Sequence, residues 1–166
     1  MIPLEPAADP ASPQLSVGHA HLRVADLDRA VAFYRDVLGF DVMHRFGDQA
    51  AFLAVGGYHH QLGLNTWHSK GATPPPPGHT GLYHVAFLYP DRAALAAAVR
   101  RVMAAGVAIT GKADHGVSVA VYFNDPDGNG IELYYDRPRE AWPVDDAGRV
   151  VMSNDPLDLA ALTREA

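Results

Sequence analysis

The sequence contains no cysteine. This absence excludes disulfides, thiolate nucleophiles and zinc sites built on thiolates. Histidine is abundant by contrast, with nine residues in a chain of 166. Because imidazole is a common metal ligand and titrates near neutral pH, the histidines are the first place to look for chemistry.

Clustered positive charge and long apolar runs are missing as well. The 13 lysines and arginines are scattered and the formal net charge is −6, which predicts no nucleic-acid partner. No run of about 20 apolar residues is present to span a bilayer, and the N-terminus is acidic and Pro-rich, unlike a signal peptide. We therefore expect a cytoplasmic protein without membrane contact. With 48% hydrophobic residues, the chain fits one domain with a substantial core.

Two stretches of the chain repeat one order of elements, a strand and a helix followed by further strands. The strands predicted for the first copy cover 17–24, 40–46, 50–55 and 59–65, and those for the second cover 83–89, the vicinity of 108, 117–123 and 131–135. The first helix is capped by Asp26 or Asp28 and ends at Gly39, and the second runs from Asp91 to Gly106. Two copies with a period of about 65 residues predict paired modules rather than a solenoid.

These boundaries define the predicted organisation of the chain. One domain covers 16–137, with a first module over 16–68, a Pro-rich linker over 69–80 and a second module over 81–137. An N-terminal arm over 1–15 and a C-terminal extension over 138–166 flank the domain, and both are too polar to form a core alone. Within the extension, 154–163 is predicted to be a short helix that docks on a neighbouring molecule.

Three residues far apart in the chain carry the strongest chemical signal. His19 and His84 each fall in the first predicted strand of a module, and Glu132 lies in the last strand of the second. Two imidazoles and one carboxylate form the ligand set of a mononuclear metal site with open coordination positions. His21 shares the predicted strand face of His19, so it is either a rival ligand or a group that supports His19.

Several segments resemble the vicinal oxygen chelate superfamily of glyoxalases, fosfomycin-resistance proteins and extradiol dioxygenases. The superfamily resemblance rests on 17–27, 32–34, 38–40, 83–87 and 125–133, and 58–68, 114–118 and 136–143 are similar to the short, two-module catechol 2,3-dioxygenase branch. The resemblance implies an α+β fold in which two pseudo-symmetric βαβββ modules form a curved sheet around a metal-binding cavity. It also implies that His19, His84 and Glu132 hold Fe(II), with Mn, Zn or Ni as alternatives.

The resemblance further implies a reaction, the ring cleavage of a catechol-type aromatic diol by dioxygen. In this scheme His60 is a general acid or base, Tyr122 hydrogen-bonds the substrate, and His115 anchors the catecholate charge. Adjacent His59 and His60 are predicted to point to opposite faces of a strand, so at most one enters the cavity. The family often pairs two units, which predicts a homodimer. The metal site then lies within one chain, or across two chains if the modules swap.

Three other functions stay open. A glyoxalase-like enzyme commonly takes a carboxylate from the last strand of the first module, where this chain is expected to present His60. A fosfomycin-resistance-like transferase binds an anionic phosphonate and needs several Lys or Arg, whereas Arg23 is the only obvious candidate here. A metal-free binding protein of the bleomycin-resistance kind needs a large aromatic groove but no ligand triad.

Overall fold

The computed structural model describes residues 11–12 and 14–164, so most of the predicted arm over 1–15 lies outside the described residues. The first module comprises β1 (Ala20–Arg23), α1 (Leu27–Ala32), a π-helical turn (Phe33–Val37), β2 (Asp41–Phe46), β3 (Ala50–Ala54) and β4 (Leu62–Asn65). The second comprises β5 (Val85–Tyr89), α2 (Arg92–Ala104), β6 (Ile109–Asp114), β7 (Ser118–Asn124) and β8 (Gly130–Asp136). A 3₁₀ turn (Arg139–Ala141), β9 (Asp155–Pro156) and α3 (Leu159–Thr163) follow.

Each module builds its own sheet. The strand orders are β1-β4-β3-β2 and β5-β8-β7-β6-β9. The β1–β4 and β5–β8 pairs are parallel, as the helical crossover within each module requires, and the remaining pairs are antiparallel. The predicted α+β fold with two βαβββ modules is confirmed. Within the described part of the chain the two sheets are separate, and no continuous curved sheet joins them.

Both helices begin and end where the sequence indicates. The Asp26 carboxylate accepts a hydrogen bond from the backbone N–H of Arg29 (3.0 Å), and Asp91 caps α2 in the same way. Asp26 is therefore the cap, and Asp28 is not. Gly39 and Gly106 follow the helical segments with φ of 83° and 74°, a conformation that favours glycine.

The helices and one side of each sheet form a common hydrophobic core. Phe33 packs edge-on against Phe123 across the modules, and Phe40 packs against Phe87. A buried hydrogen bond from the Tyr34 hydroxyl to Asp125 (2.9 Å) also joins the modules. Because strand residues alternate between faces, the second side of each sheet points away from this core. We call this second side the open side.

Four histidine positions differ from the prediction. His19 and His84 immediately precede β1 and β5 instead of lying within those strands. His60 was predicted within a strand, but β4 begins only at Leu62, and His59 and His60 lie in the loop that precedes it. Two glycines at 56–57 with positive φ turn the chain into this loop, so the two histidines are not forced to opposite sheet faces.

The C-terminal extension packs on its own chain. β9 pairs with β6, and α3 lies against α2, where the Arg92 side chain donates to the carbonyl oxygen of Ala161 (2.6 Å). Leu162 is 2% exposed in this contact. The prediction that this helix docks on a neighbour is therefore wrong. No helix among residues 14–164 is long and apolar enough to cross a membrane.

Candidate metal centre

His84 and Glu132 form the centre of the candidate site in the second module. The parallel β5–β8 register places Ala86 beside Glu132, and this pairing brings the residue before β5 close to the Glu132 side chain. His84 Nε2 lies 2.9 Å from Glu132 Oε2. The other ring nitrogen, Nδ1, is buried and has no hydrogen-bond partner within the described chain. Two potential metal ligands are thus already in contact.

Gly130 is the residue that allows this approach. A Cβ atom at position 130 would collide with the carbonyl oxygen of Tyr83 and lie 3.2 Å from the Cα of His84. The backbone that leads into β5 therefore passes directly over the start of β8. Any side chain at this position would displace His84 from Glu132.

Tyr122 lies opposite Glu132 in the antiparallel β7–β8 pair. Its hydroxyl donates to Glu132 Oε1 (3.0 Å), and its ring centroid is 5.6 Å from that of His84. Burial, together with the hydrogen bond to Glu132 and the charge of that carboxylate, raises the pKa of Tyr122 well above its usual value. The hydroxyl therefore stays protonated at neutral pH and orients the carboxylate.

His115 extends this network to the C-terminal extension. Its Nε2 lies 2.8 Å from the Tyr122 hydroxyl, and its Nδ1 lies 2.9 Å from the carbonyl oxygen of Ser153. Since a carbonyl oxygen can only accept, Nδ1 carries a proton. The single Tyr122 proton cannot serve both Glu132 and a neutral His115.

A cavity of about 440 Å³ adjoins these residues. His84 and Tyr122 line it, together with Thr110 and with Asn154 from the extension. Sequence reasoning missed both Ser153 and Asn154, because neither belongs to a motif. The sequence indicated only that these two residues belong to the C-terminal extension. In the structure, the pairing of β9 with β6 attaches this extension to the second sheet.

His19 and His60 lie together in the first module. Their ring centroids are 4.5 Å apart, and the His60 ring also packs edge-on against Phe52 at 5.1 Å. Burial lowers the pKa of His60, and the adjacent imidazoles of His19 and His59 lower it further. A lowered pKa favours the neutral ring, which is able to accept a proton at neutral pH.

His21 lies on the open side of the first sheet beside Gly63. Its ring atoms stand 2.8 Å from where a Cβ of residue 63 would be, so the imidazole occupies that space. Trp67 flanks the ring at 5.6 Å. Burial, and then the charge of His19, lowers the pKa of His21. The His21 ring thus packs among Phe52, Trp67 and Gly63.

The strand registers show which residues of the two modules are equivalent. Ala20 pairs with Leu62 as Val85 pairs with Ile131, so His19 corresponds to His84 and Gly63 corresponds to Glu132. The first-module counterpart of the carboxylate is therefore Gly63, and the expectation that His60 takes that place is wrong. The first sheet presents no carboxylate at this point.

Within one chain, only two of the three predicted metal ligands lie together. His84 and Glu132 are paired, whereas His19 contacts His60 instead. Across the described ranges, 11–12 and 14–164, no three His, Asp or Glu side chains form a group that could hold a metal ion. The chain thus provides two ligands in one place and a third imidazole in another.

The fold and these residues agree with the family assignment. The model of the glyoxalase/bleomycin resistance protein/dioxygenase superfamily matches residues 16–133, and the chain belongs to this superfamily. The chain is 41% identical over 150 residues to a catechol-2,3-dioxygenase of Bacillus subtilis, which covers 90% of this chain and 52% of that protein. It is 30% identical to biphenyl-2,3-diol 1,2-dioxygenase 3 of Rhodococcus globerulus over 72% of this chain and 63% of that protein.

A solved structure gives the same fold. The crystal structure of lactoylglutathione lyase from Agrobacterium tumefaciens aligns with a TM-score of 0.60 and 26% identity, covering 75% of this chain and 96% of that one. The chain therefore has dioxygenase-named and lyase-named relatives. It spans between half and two thirds of the length of the two dioxygenases.

Proposed function

We propose that this protein is an Fe(II)-dependent extradiol dioxygenase that cleaves a catechol-type aromatic diol with dioxygen. The observation that carries the proposal is the hydrogen-bonded group of His84, Glu132, Tyr122 and His115 beside a cavity. The metal ligands in this proposal are His19, His84 and Glu132. Iron held by these two imidazoles and one carboxylate would supply open positions for a chelating diol and for dioxygen.

The side chains of the second module have defined tasks in this reaction. Tyr122 hydrogen-bonds one oxygen of Glu132 and lines the cavity. His115, held by Ser153, is hydrogen-bonded to the Tyr122 hydroxyl and would act on the charge of the diolate through that hydroxyl. Tyr122 and His115 therefore orient the substrate and the Glu132 carboxylate, and neither is oxidised or reduced in the reaction.

His60 is the proposed acid and base. Its neutral ring accepts a proton from the diol and returns one when the ring opens. Because the His60 ring lies beside the His19 ring, His60 is close to any metal that His19 binds. Cleavage next to the two hydroxyls places both atoms of dioxygen in a hydroxymuconic semialdehyde, so the balance requires no external reductant.

One observation weakens the glyoxalase-like alternative. Such an enzyme takes a carboxylate from the last strand of the first module, and Gly63 stands at the counterpart of Glu132 in that strand. The His21 ring fills the space in which a longer side chain would lie. A site with two imidazoles and one carboxylate keeps more open positions than a site with a second carboxylate.

Oxygen consumption by the reconstituted protein tests the proposal. Protein loaded with Fe(II) without air, then given catechol or a substituted catechol and oxygen, should consume oxygen and turn yellow. Oxidation to Fe(III) should abolish turnover. Elemental analysis of protein purified without added metal is the companion measurement: iron supports the dioxygenase, manganese a transferase, and zinc or nickel an isomerase. No oxygen uptake across a panel of catechols at full iron occupancy would reject the reaction.

A further inference from the structure

The cavity that His84 and Tyr122 line extends across the second sheet. Its other lining residues include Thr110 on β6 and Asn154, which directly precedes β9. Neighbouring strands are about 4.8 Å apart, so β9 lies three spacings, or roughly 14 Å, from β8, which carries Glu132. A single aromatic ring whose two hydroxyls lie at the proposed metal ligands spans less than this distance. The far part of the cavity is therefore available to a substituent on the ring.

The polar side chains in this part of the lining are uncharged. Thr110, Asn124 and Asn154 contribute one hydroxyl and two carboxamides, and no lysine or arginine of the described chain lines the cavity. A second cavity, beside β1 and β5, does include a cation, Arg101. A carboxylate that entered the first cavity would lose water without gaining a cationic partner, which is unfavourable. The lining therefore fits a neutral substituent and not an anionic one.

Thr110 and Asn154 are available to bind a ligand. Both residues are exposed, and neither side chain makes a hydrogen bond within the described part of the chain. A hydroxyl group and a carboxamide can each donate and accept hydrogen bonds. The two side chains therefore match a substituent that also donates and accepts, such as a hydroxyl or a carboxamide group.

The backbone holds Asn154 in place from both sides. Before it, the Ser153 N–H donates to the carbonyl oxygen of His115 (3.0 Å), and the Ser153 carbonyl oxygen lies 2.9 Å from Nδ1 of the same histidine. After it, Asp155 pairs with Asp114 in the β6–β9 ladder. A polar group on a fixed backbone selects among ligands better than one on a mobile loop. Asn154 is thus placed to act on specificity.

A β-bulge in β6 shapes the same part of the cavity. The β6–β7 register shifts between Ile109 and Gly111, so Thr110 is an extra residue that pairs with none on β7. Bulges redirect side chains, and here Thr110 and Gly111 line the cavity although they are successive residues. Gly111 also keeps space open, since a Cβ atom at this position would lie 3.3 Å from the Tyr122 ring.

We propose that the diol cleaved at this site carries an uncharged, hydrogen-bonding substituent, which Asn154 and Thr110 bind. The two hydroxyls of the diol lie at the proposed metal ligands, and the substituent extends across β7 and β6 toward the C-terminal extension. The inference rests on the proposed function. It makes Asn154 and Thr110 the specificity-determining residues of that reaction.

Four catechols that differ in a single substituent test this selection. Hydrogen, methyl, hydroxymethyl and carboxylate are compared at ring position 3 and at ring position 4, and oxygen uptake by the Fe(II)-loaded protein gives kcat/KM for each. At the better accepted ring position, the hydroxymethyl compound should exceed the methyl compound about 5- to 10-fold, the effect of one hydrogen bond. The carboxylate compound should be poorest, roughly 100-fold below the hydroxymethyl compound, because its charge has no partner.

Substitutions show whether the named residues make the selection. Asn154→Ala and Thr110→Val should each lower the hydroxymethyl-to-methyl ratio of kcat/KM about 5- to 10-fold. Asn154→Lys should raise the carboxylate-to-hydroxymethyl ratio by about 10-fold or more, because it supplies the missing cation. Met152→Lys is the matched control, since it adds the same charge at a 66% exposed position of the extension outside the cavity lining. It should change neither ratio.

Binding in the absence of oxygen gives a readout that does not depend on turnover. Calorimetric titration of the Fe(II)-loaded protein without air should rank the dissociation constants of the four compounds in the same order. A carboxylate compound that is used as well as the hydroxymethyl compound, or ratios that Asn154→Lys leaves unchanged, would overturn this inference and leave the dioxygenase standing. No oxygen uptake with any of the compounds at full iron occupancy would overturn the proposed function and this inference with it.

Discussion

The two modules share a scaffold and differ in chemistry. Their registers superimpose, so that Phe52 and Gly63 of the first sheet stand where Tyr122 and Glu132 stand in the second. The second module therefore carries the carboxylate and a hydroxyl that orients it. The first carries a phenyl ring and a glycine at the same places.

The histidines show the opposite distribution. His19 corresponds to His84, but only the first module adds His21 and His60 around this position. The repeat thus duplicates one histidine that is a proposed ligand. The proposed acid–base group lies in the first module, and the proposed anionic ligand lies in the second. A site built from both modules needs the groups of each, and substitutions in one module at a time separate their contributions.

His60→Ala should have the largest effect on turnover. Loss of a positioned acid–base group lowers the rate by roughly 10² to 10⁴, while iron content should remain that of the wild type. His59→Ala is the control, because His59 is the adjacent residue in the same loop. Steady-state oxygen uptake and elemental analysis measure the two quantities. A His60→Ala protein that loses its iron, beside a His19→Ala protein that keeps it, would show that the ligands are wrongly assigned.

Glu132→Gln should act first on metal retention. It removes the only anionic ligand while keeping its size, so iron affinity should fall at least as much as the roughly 10–100-fold cost of outer-shell changes. Activity should fall in proportion to occupancy. Glu140→Gln, at an exposed position in the 3₁₀ turn, is the control. Equal iron affinity in the two variants would exclude Glu132 as a ligand.

Tyr122→Phe makes the second module resemble the first, which has Phe52 at this place. The change removes the hydrogen bonds to Glu132 and His115, so iron affinity should fall about 10-fold, the lower end of the outer-shell range. Tyr134→Phe, two residues beyond Glu132 on the same strand face, should leave the affinity unchanged. Competition with a chelator measures both affinities, and identical values for the two variants would remove Tyr122 from the network.

Gly63→Ala should have the smallest effect, and this effect should be limited to the stability of the fold. The new methyl group meets the His21 ring at 2.8 Å, and the crowding should lower the free energy of unfolding by about 1 kcal/mol. In a His21→Ala background the same change should cost less, because the ring is gone. Urea unfolding of the four proteins completes the cycle, and equal costs in both backgrounds would mean that His21 does not restrict position 63.

Much of the scaffold could be predicted from sequence because its signals are local. Alternation marks the strands, Asp26 and Asp91 cap the helices, and Gly39 and Gly106 follow them. The strand predicted over 59–65 was too long, because its first three residues are all polar and lie in the loop that precedes β4. The Gln61 side chain accepts a hydrogen bond from the backbone N–H of Val55, a contact that stabilises this loop and that alternation cannot reveal.

The site was less predictable because its parts meet through long-range packing. The residue types of His84, Glu132 and Tyr122 identify them as candidates, and strand pairing brings them together. Ser153 reaches His115 across 38 positions in sequence through its main chain, which carries no residue-type signal. The separation of His19 from Glu132 follows from the shared helical core, which depends on both modules at once.

Anomalous diffraction at the iron edge from crystals of the Fe(II)-loaded protein tests the central claim most directly. We predict one iron peak per chain, bonded to His19, His84 and Glu132, with His60 beside the remaining coordination positions. An iron peak whose ligands include His21 or His60 in place of His19, or one that lies away from Glu132, would contradict the account.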